Sequence, residues 1–321
     1  MIWINILYIS SFFTYFATAP YTNQYIFKGW YPMNYKIQRN ILLWTFLFIP
    51  IILMILLVIY PFFKMVYFSF TNWDGVLQTY QFIGIKNYKN AFMDPVLWAS
   101  LKNNAIYALT GIIQNLFALF CAVLLTTKLR GKNFFKTISF IPYVVNITAV
   151  AYMFNYLYDY RQGPINISLR LLGLLPVKFL GDPNLAIFSL AFISFWRWFG
   201  YTLIIYLAAL LSIDPSIYES AQIDRANSVQ IFRHVTFPNI INIVELNLFI
   251  TLSGSLQAFN ETLIMTNGGP GNATYTFLYY LIQVYTRFNS YGFAAALSLL
   301  LVLLIAVLTI LQRKLILRGE R

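Results

Sequence analysis

The sequence predicts an all-α membrane protein that crosses the bilayer six times. Hydrophobic residues make up 60% of the chain and charged residues only 10%, whereas soluble domains carry about 25% charged residues. Apolar runs of about twenty residues recur, which is the length that an α-helix needs to cross a bilayer. The six runs that predict spans are 41–63, 104–127, 135–158, 185–213, 240–262 and 291–311.

The distribution of Lys and Arg predicts the orientation of these spans. If the first span begins in the cytoplasm, the inside segments hold the larger share of the basic residues, as cytoplasmic loops do. The short inside loop 128–136 contains four basic residues and no acid. The net charge of +12 then reflects contact with anionic lipid rather than nucleic acid. We expect both ends of the six-span unit to be cytoplasmic.

The predicted organisation has four parts. Residues 1–40 form an N-terminal segment that is a mis-assigned start, an extra or interfacial helix, or a signal-like stretch without a basic n-region. Residues 41–99 hold the first span and an extracytoplasmic segment. Residues 100–312 form the core transmembrane domain, and 313–321 form a basic cytoplasmic tail.

Sequence signatures of catalysis are absent. The G-x-x-x-x-G-K-[ST] loop that cradles ATP phosphates does not occur. The single His234 and single Cys121 exclude the usual zinc patterns and an intrachain disulfide. We therefore expect no catalytic residue, no metal and no cofactor in this chain, and a transport subunit rather than an enzyme.

A polar island, residues 217–238, separates the fourth and fifth apolar runs and must lie at a membrane face. Asp214 suits the cap and Pro215 the first position of a helix. Alternatively, Ser216 is the cap and Glu219 completes a capping box. Pro238 is expected to end this segment, since proline cannot donate a backbone hydrogen bond. A short amphipathic helix held between two spans offers a handle to another protein.

The polar island closely resembles the signature of the permease subunits of bacterial ABC importers with the type I fold. The signature E-A-A-x-x-D-G-A, followed by F-x-x-[VI]-x-[LF]-P, is matched at Glu219, Ala221, Asp224, Ala226, Phe232, Val235, Phe237 and Pro238. The resemblance covers nearly everything after Met33. The string TLIMTNGGPGNAT at 262–274 is similar to the sugar-importer branch, as are 84–88 and 102–104.

Arg225 departs from this pattern, because the family has glycine there. Glycine adopts positive φ freely, whereas another residue loses roughly 1 kcal/mol. We expect the break between the two helical pieces to move to Asn227, or the first piece to extend by about half a turn. Alternatively, Arg225 reaches an acidic patch or a phosphate.

The resemblance implies a six-span permease with a cytoplasmic coupling helix between spans four and five. ATP–Mg would bind to a separate ATPase, and the expected partners are two ATPase subunits, a second permease subunit in a heterodimer and an extracytoplasmic substrate-binding protein. The cargo would be a sugar or oligosaccharide; alternatives are glycerol phosphate or a polyamine, or an ion-coupled carrier. The implied coupling residues are Glu219, Ser220, Ala221, Asp224, Arg225, Ala226, Phe232 and Pro238.

Polar residues inside apolar spans are candidates for the solute path. The path candidates are Asn260, Glu261, Phe259, Asn247 and Trp196, and aromatic packing is the competing interpretation for the two rings. Asn242 and Glu245 are further polar candidates in the fifth span. Alternatively, Glu245 pairs with Arg197 or with a neighbouring loop. Gly268, Gly269 and Pro270, in a turn-rich outer loop, are candidates for docking the binding protein.

Overall fold

The computed structural model describes residues 35–76, 79–127 and 130–317. They form helices joined by loops, with one isolated bridge between Thr71 and Phe82. The chain forms two compact units, Met1–Pro61 and Phe62–Arg321. The helices are α1 Tyr35–Met54, α2 Tyr60–Phe68, α3 Lys86–Met93, α4 Pro95–Thr126, α5 Lys132–Val144, α6 Ile147–Leu157, α7 Pro164–Leu171, α8 Ala186–Leu211, α9 Pro215–Ile223, α10 Ser228–Ile231, α11 Phe237–Leu256, α12 Phe277–Thr286 and α13 Tyr291–Leu317. π-Helical turns occupy Ile55–Ile59, Phe232–Thr236 and Thr262–Thr266.

Five helical stretches of the described chain are long and apolar enough to cross a membrane, or six spans if one bent helix pair is counted. The expected all-α class is confirmed for the described residues. The expectations for 1–34, for Lys128 and for the tail residues 318–321 lie outside them. The stretches are Arg39–Phe68, Pro95–Thr126, Ala186–Leu211, Ser228–Leu256 and Tyr291–Lys314, with the bent pair at Lys132–Val144 and Ile147–Leu157.

The third predicted span, 135–158, is interrupted by a bend. Helices α5 and α6 meet at an angle of 100°. Val145 is extended, and the side chain of Asn146 accepts a hydrogen bond from the backbone N–H of Thr148 at 2.8 Å. An asparagine that caps a new helix in this way interrupts the preceding one, so the polar residue in the apolar run marks the bend.

The predicted start of the second span and the predicted end of the fifth span are wrong. Helix α4 begins at Pro95 rather than at residue 104, because Asp94 caps it by accepting from the backbone N–H of Val96 at 2.8 Å. Helix α11 ends at Leu256, short of the predicted Thr262. At the start of α4, a short polar side chain rather than hydropathy fixes the boundary.

The centre of the second unit is packed from α4, α8 and α11. Small residues of α4 (Ala118 and Ala122) meet Leu203 and Tyr206 of α8 and Ile240 of α11, all of them buried. Small residues allow helix backbones to approach closely in membrane proteins. This core supports the beginning of α11, and therefore the polar island that precedes it.

Gly200 marks the closest approach of α5 and α8. A Cβ atom at this position would lie 1.8 Å from the carbonyl oxygen of Ser139 and 2.8 Å from the Cα of Phe140. Only glycine allows the two backbones to be this close.

Candidate functional site

Helix α9 is the first piece of the polar island, and Asp214 starts it. The Asp214 carboxylate accepts a hydrogen bond from the backbone N–H of Ser216 at 2.9 Å, and Pro215 occupies the first turn. This bond holds the pKa of Asp214 below its ordinary value. The first of the two expected starts is confirmed, and the Ser216–Glu219 capping box is wrong because Asp214 already provides the cap.

Arg225 ends this helix in the left-handed conformation, with φ of 57°. Two hydrogen bonds close the turn: the N–H of Arg225 donates to the carbonyl of Gln222, and the N–H of Ala226 donates to that of Ala221, both at 3.0 Å. These are the two bonds of a Schellman motif, whose left-handed position usually holds glycine. The arginine thus adopts a backbone conformation that glycine adopts freely.

The expected shift of the break to Asn227 is therefore wrong. Asn227 has φ of −77° and caps α10 in a capping box with Gln230. Its side chain accepts from the N–H of Gln230 at 2.9 Å, and the Gln230 side chain accepts from the N–H of Asn227 at 2.8 Å. Because Asn227 is committed to this cap, the left-handed turn falls on Arg225.

The surface of α9 is open. Glu219, Ser220 and Asp224 are exposed, and Ile223 is 81% exposed. The hydroxyls of Tyr218 and Thr236 lie 3.3 Å apart and tie α9 to the π-helical turn after α10. Helix α9 is capped, is held to the rest of the chain through Tyr218, and carries exposed polar and apolar side chains. Such a surface is suited to contact with another protein.

Pro238 does not end the polar island, contrary to expectation. It lies in the first turn of α11, and the helical stretch runs without interruption from Ser228 to Leu256. The π-helical turn before it is closed by the N–H of Phe237, which donates to Phe232. Phe232 also packs against the α4–α8–α11 core, so this candidate coupling residue links the island to the spans.

Near the other end of α11, Arg197 and Glu261 form a buried pair. Arg197 Nη1 lies 3.7 Å from Glu261 Oε1, and Arg197 Nε has no hydrogen-bond partner in the described chain. The expected pairing of Arg197 with Glu245 is therefore wrong. Of the path candidates, only Glu261 is joined to a charged group of opposite sign.

The remaining path candidates divide by exposure. Asn260 is exposed. Asn247 is buried and donates to the carbonyl of Ile243 in its own helix at 3.2 Å. Trp196 packs edge-on against Phe154, with ring centroids 5.3 Å apart, and Phe259 lies 6.1 Å from Tyr279. For these two rings, the contacts favour aromatic packing.

The loop with the candidate docking residues is tightly built. Gly268 is buried, and a Cβ there would lie 2.2 Å from the ring of Tyr275, so Gly268 cannot itself contact a partner. Asn103 donates to the carbonyls of Ala273 and Tyr275, both at 2.8 Å. The half-buried Gly269 and Pro270 and the exposed Gly271 and Asn272 form the accessible part.

Comparison with known proteins decides the family. The model of the family described as "binding-protein-dependent transport system inner membrane component" matches residues 114–318. The chain belongs to this family. It is a permease of the multi-pass membrane type.

Two relatives align with most of the permease. The multiple sugar-binding transport system permease protein MsmF of Streptococcus mutans is 32% identical over 274 residues, covering 85% of this chain and 94% of the relative. The lactose transport system permease protein LacF of Rhizobium radiobacter is 33% identical over 276 residues, covering 84% and 92%.

The fold of the permease matches a solved transporter. A crystal structure of a bacterial ABC transporter involved in the import of the acidic polysaccharide alginate superposes with a TM-score of 0.78 at 22% identity, covering 89% of this chain and 98% of the solved chain. The expected type I importer fold is thereby confirmed.

A buried polar cluster at the centre of the permease was not predicted from the sequence. Asn115 of α4 donates to the Thr251 hydroxyl of α11 and accepts from the Tyr206 hydroxyl of α8, both at 2.8 Å. An intramembrane polar residue inside the run 104–127 was the available signal. These bonds lock the register of three helices between α9 and the Arg197–Glu261 pair.

Proposed function

We propose that this permease forms the membrane path through which an ABC importer carries a sugar or oligosaccharide into the cytoplasm. The observation that carries the proposal is the exposed, separately capped helix α9 between two membrane-crossing helices. Relatives whose names specify multiple sugars, lactose and arabinooligosaccharides support this class of cargo.

In this proposal, the free energy for transport comes from ATP–Mg bound to separate ATPase subunits. Each ATPase subunit binds one coupling helix. Two ATPase subunits therefore require a second permease subunit, which is present in a heterodimer. The exposed Glu219 and Asp224 carboxylates would form charge-assisted hydrogen bonds with basic groups of the ATPase. In this proposal, α9 and the ends of the six-span unit face the cytoplasm, an orientation that the basic loops support.

Movement of α9 is transmitted through the contacts at its base. Tyr218 contacts Thr236. Phe232 and Phe237, which lie before and after Thr236 in the sequence, pack against the α4–α8–α11 core. A shift of α9 would therefore displace α11 and change access to the path, a two-state transition biased by nucleotide.

On the opposite face, an extracytoplasmic binding protein would deliver the solute to the accessible part of the loop at 269–272. This loop is joined through Thr262 and Thr274 to the segment that follows α11: the Thr262 hydroxyl donates to the carbonyl of Thr274 at 3.2 Å. Glu261 precedes this bond directly. Docking on the loop would thus act close to the Arg197–Glu261 pair.

The test is Glu219→Lys in the assembled transporter. Loss of a charge-assisted hydrogen bond and gain of repulsion should weaken ATPase copurification about tenfold or more and reduce solute uptake in parallel. Lys89→Glu, on the exposed surface of α3, is the matched charge-reversal control. Unchanged copurification and uptake with Glu219→Lys would refute the role of α9 in binding the ATPase. In a separate experiment, titrating the binding protein with sugars, glycerol phosphate and polyamines would identify the cargo.

A further inference from the structure

A cavity of about 240 Å³ lies between α11 and α13. A single buried water needs roughly 10–15 Å³, so the cavity has room for a group of several non-hydrogen atoms. None of the candidate coupling or docking residues lines it, whereas the polar fifth-span candidates Asn242 and Glu245 do. Its lining residues are Asn242, Glu245, Leu246, Phe249, Thr309 and Gln312.

Two acceptors in this cavity lack donors. Gln312 is only 8% exposed, and its Nε2 donates to the backbone carbonyl of Glu245 at 2.7 Å. This bond fixes the amide, and the buried Oε1 is left without a hydrogen-bond partner. Within the described residues, no hydrogen bond or ion pair engages the half-buried Glu245 carboxylate. A carboxylate and an amide oxygen beside each other in a membrane protein call for a cationic donor.

The lining changes from polar to apolar along α11. Asn242 and Glu245 lie toward the polar island, and Leu246 and Phe249 follow deeper in the helix, over about 10 Å at 1.5 Å per residue. Leu246 is 50% exposed and Phe249 is 38% exposed.

We propose that this cavity binds a phospholipid with a primary ammonium headgroup. The ammonium, with three N–H donors, lies between the Glu245 carboxylate and Gln312 Oε1. An acyl chain follows Leu246 and Phe249. A headgroup followed by an acyl chain matches a lining that is first polar and then apolar, whereas a basic side chain alone would fill only the polar end.

The experiment measures lipid binding to the purified full chain by native mass spectrometry, with phosphatidylethanolamine and phosphatidylcholine as probes. The two headgroups differ in that the trimethylated ammonium of the second has no N–H donor. Since a charge-assisted hydrogen bond is lost, the first lipid should bind about tenfold more tightly. Glu245→Gln, which keeps the shape and removes the charge, should reduce the difference to less than about twofold.

Gln312→Lys provides a second variant should Glu245→Gln fold poorly. Its ammonium would occupy the cavity from within and should abolish the lipid preference. Glu219→Gln, on the exposed α9, is the matched control and should leave the preference unchanged. Equal binding of both lipids by the native chain would overturn the proposal. So would a cross-link from Leu246→Cys, in a Cys121→Ser background, to the second permease subunit in the assembled transporter, since a subunit interface would then cover the cavity.

Discussion

The backbone N–H of Ala226 donates to the carbonyl of Ala221 at 3.0 Å, and this bond closes α9 around a left-handed Arg225. The motif requires a positive φ at position 225, whichever residue stands there. An arginine in that conformation is less stable than a glycine because its Cβ is crowded by the following carbonyl oxygen. The chain thus keeps this turn geometry at a cost in free energy.

Replacing Arg225 with glycine should stabilise the permease. The left-handed conformation costs an arginine about 1 kcal/mol relative to glycine, so Arg225→Gly should raise the midpoint of thermal unfolding measured in detergent. Arg225→Ala removes the same charge but keeps a Cβ, and it should give no comparable increase. An equal gain from both variants would assign the effect to the guanidinium rather than to the backbone.

The cap of α9 should depend on pH in a defined direction. The hydrogen bond from Ser216 holds the pKa of Asp214 below its ordinary value, which is about 3.9 in model peptides. A lowered folded pKa means that the stabilisation is present above the unfolded value and is lost as the pH falls through the folded one. The protection of the Ser216 amide, after correction for intrinsic exchange, should be constant near neutral pH and fall only below about pH 3.9.

Asp214→Asn provides the control for this prediction. The amide keeps an oxygen acceptor for the Ser216 N–H but does not titrate. The protection of the Ser216 amide in this variant should therefore show no transition in the acid range. A transition of the same size in both proteins would place the responsible group elsewhere.

Local rules explain how much of this structure could be predicted. The position of α9 depends on neighbouring residues and was predicted from the sequence, with Asp214 as one of the two expected caps. The choice of Arg225 over Asn227 for the left-handed turn depended on Asn227 already capping α10, which the spacing of Asn227 and Gln230 would have indicated. The pairing of Arg197 with Glu261 joins residues far apart in sequence, and only the packing of the helices brings them together.

Gly200 should tolerate no side chain. A Cβ would lie 1.8 Å from the Ser139 carbonyl oxygen, so Gly200→Ala must separate α5 from α8 and should cost about 1–3 kcal/mol. Gly254→Ala is the matched control: Gly254 is exposed, a Cβ there meets nothing within 4 Å, and helix propensity predicts a gain of up to about 1 kcal/mol. Thermal unfolding of the two variants should shift in opposite directions, and a shared direction would contradict the close approach.

The Arg197–Glu261 pair should show strong coupling between its two members. Both side chains are largely buried, at 15% and 8% exposure. Removing one partner leaves a buried charge uncompensated, which typically costs about 3–5 kcal/mol. The 3.7 Å separation places each of the single variants Glu261→Gln and Arg197→Met near the lower end of that range, at roughly 3 kcal/mol.

The double variant Arg197→Met/Glu261→Gln tests whether the charges act on each other. It leaves neither charge behind, so its loss of stability should be smaller than the sum of the two single losses by at least about 1 kcal/mol. Thermal unfolding of all four proteins gives this coupling free energy. Additive losses would mean that the two charges interact with other groups. Arg197 and Glu261 would then be close in space without an energetic link between α8 and the segment after α11.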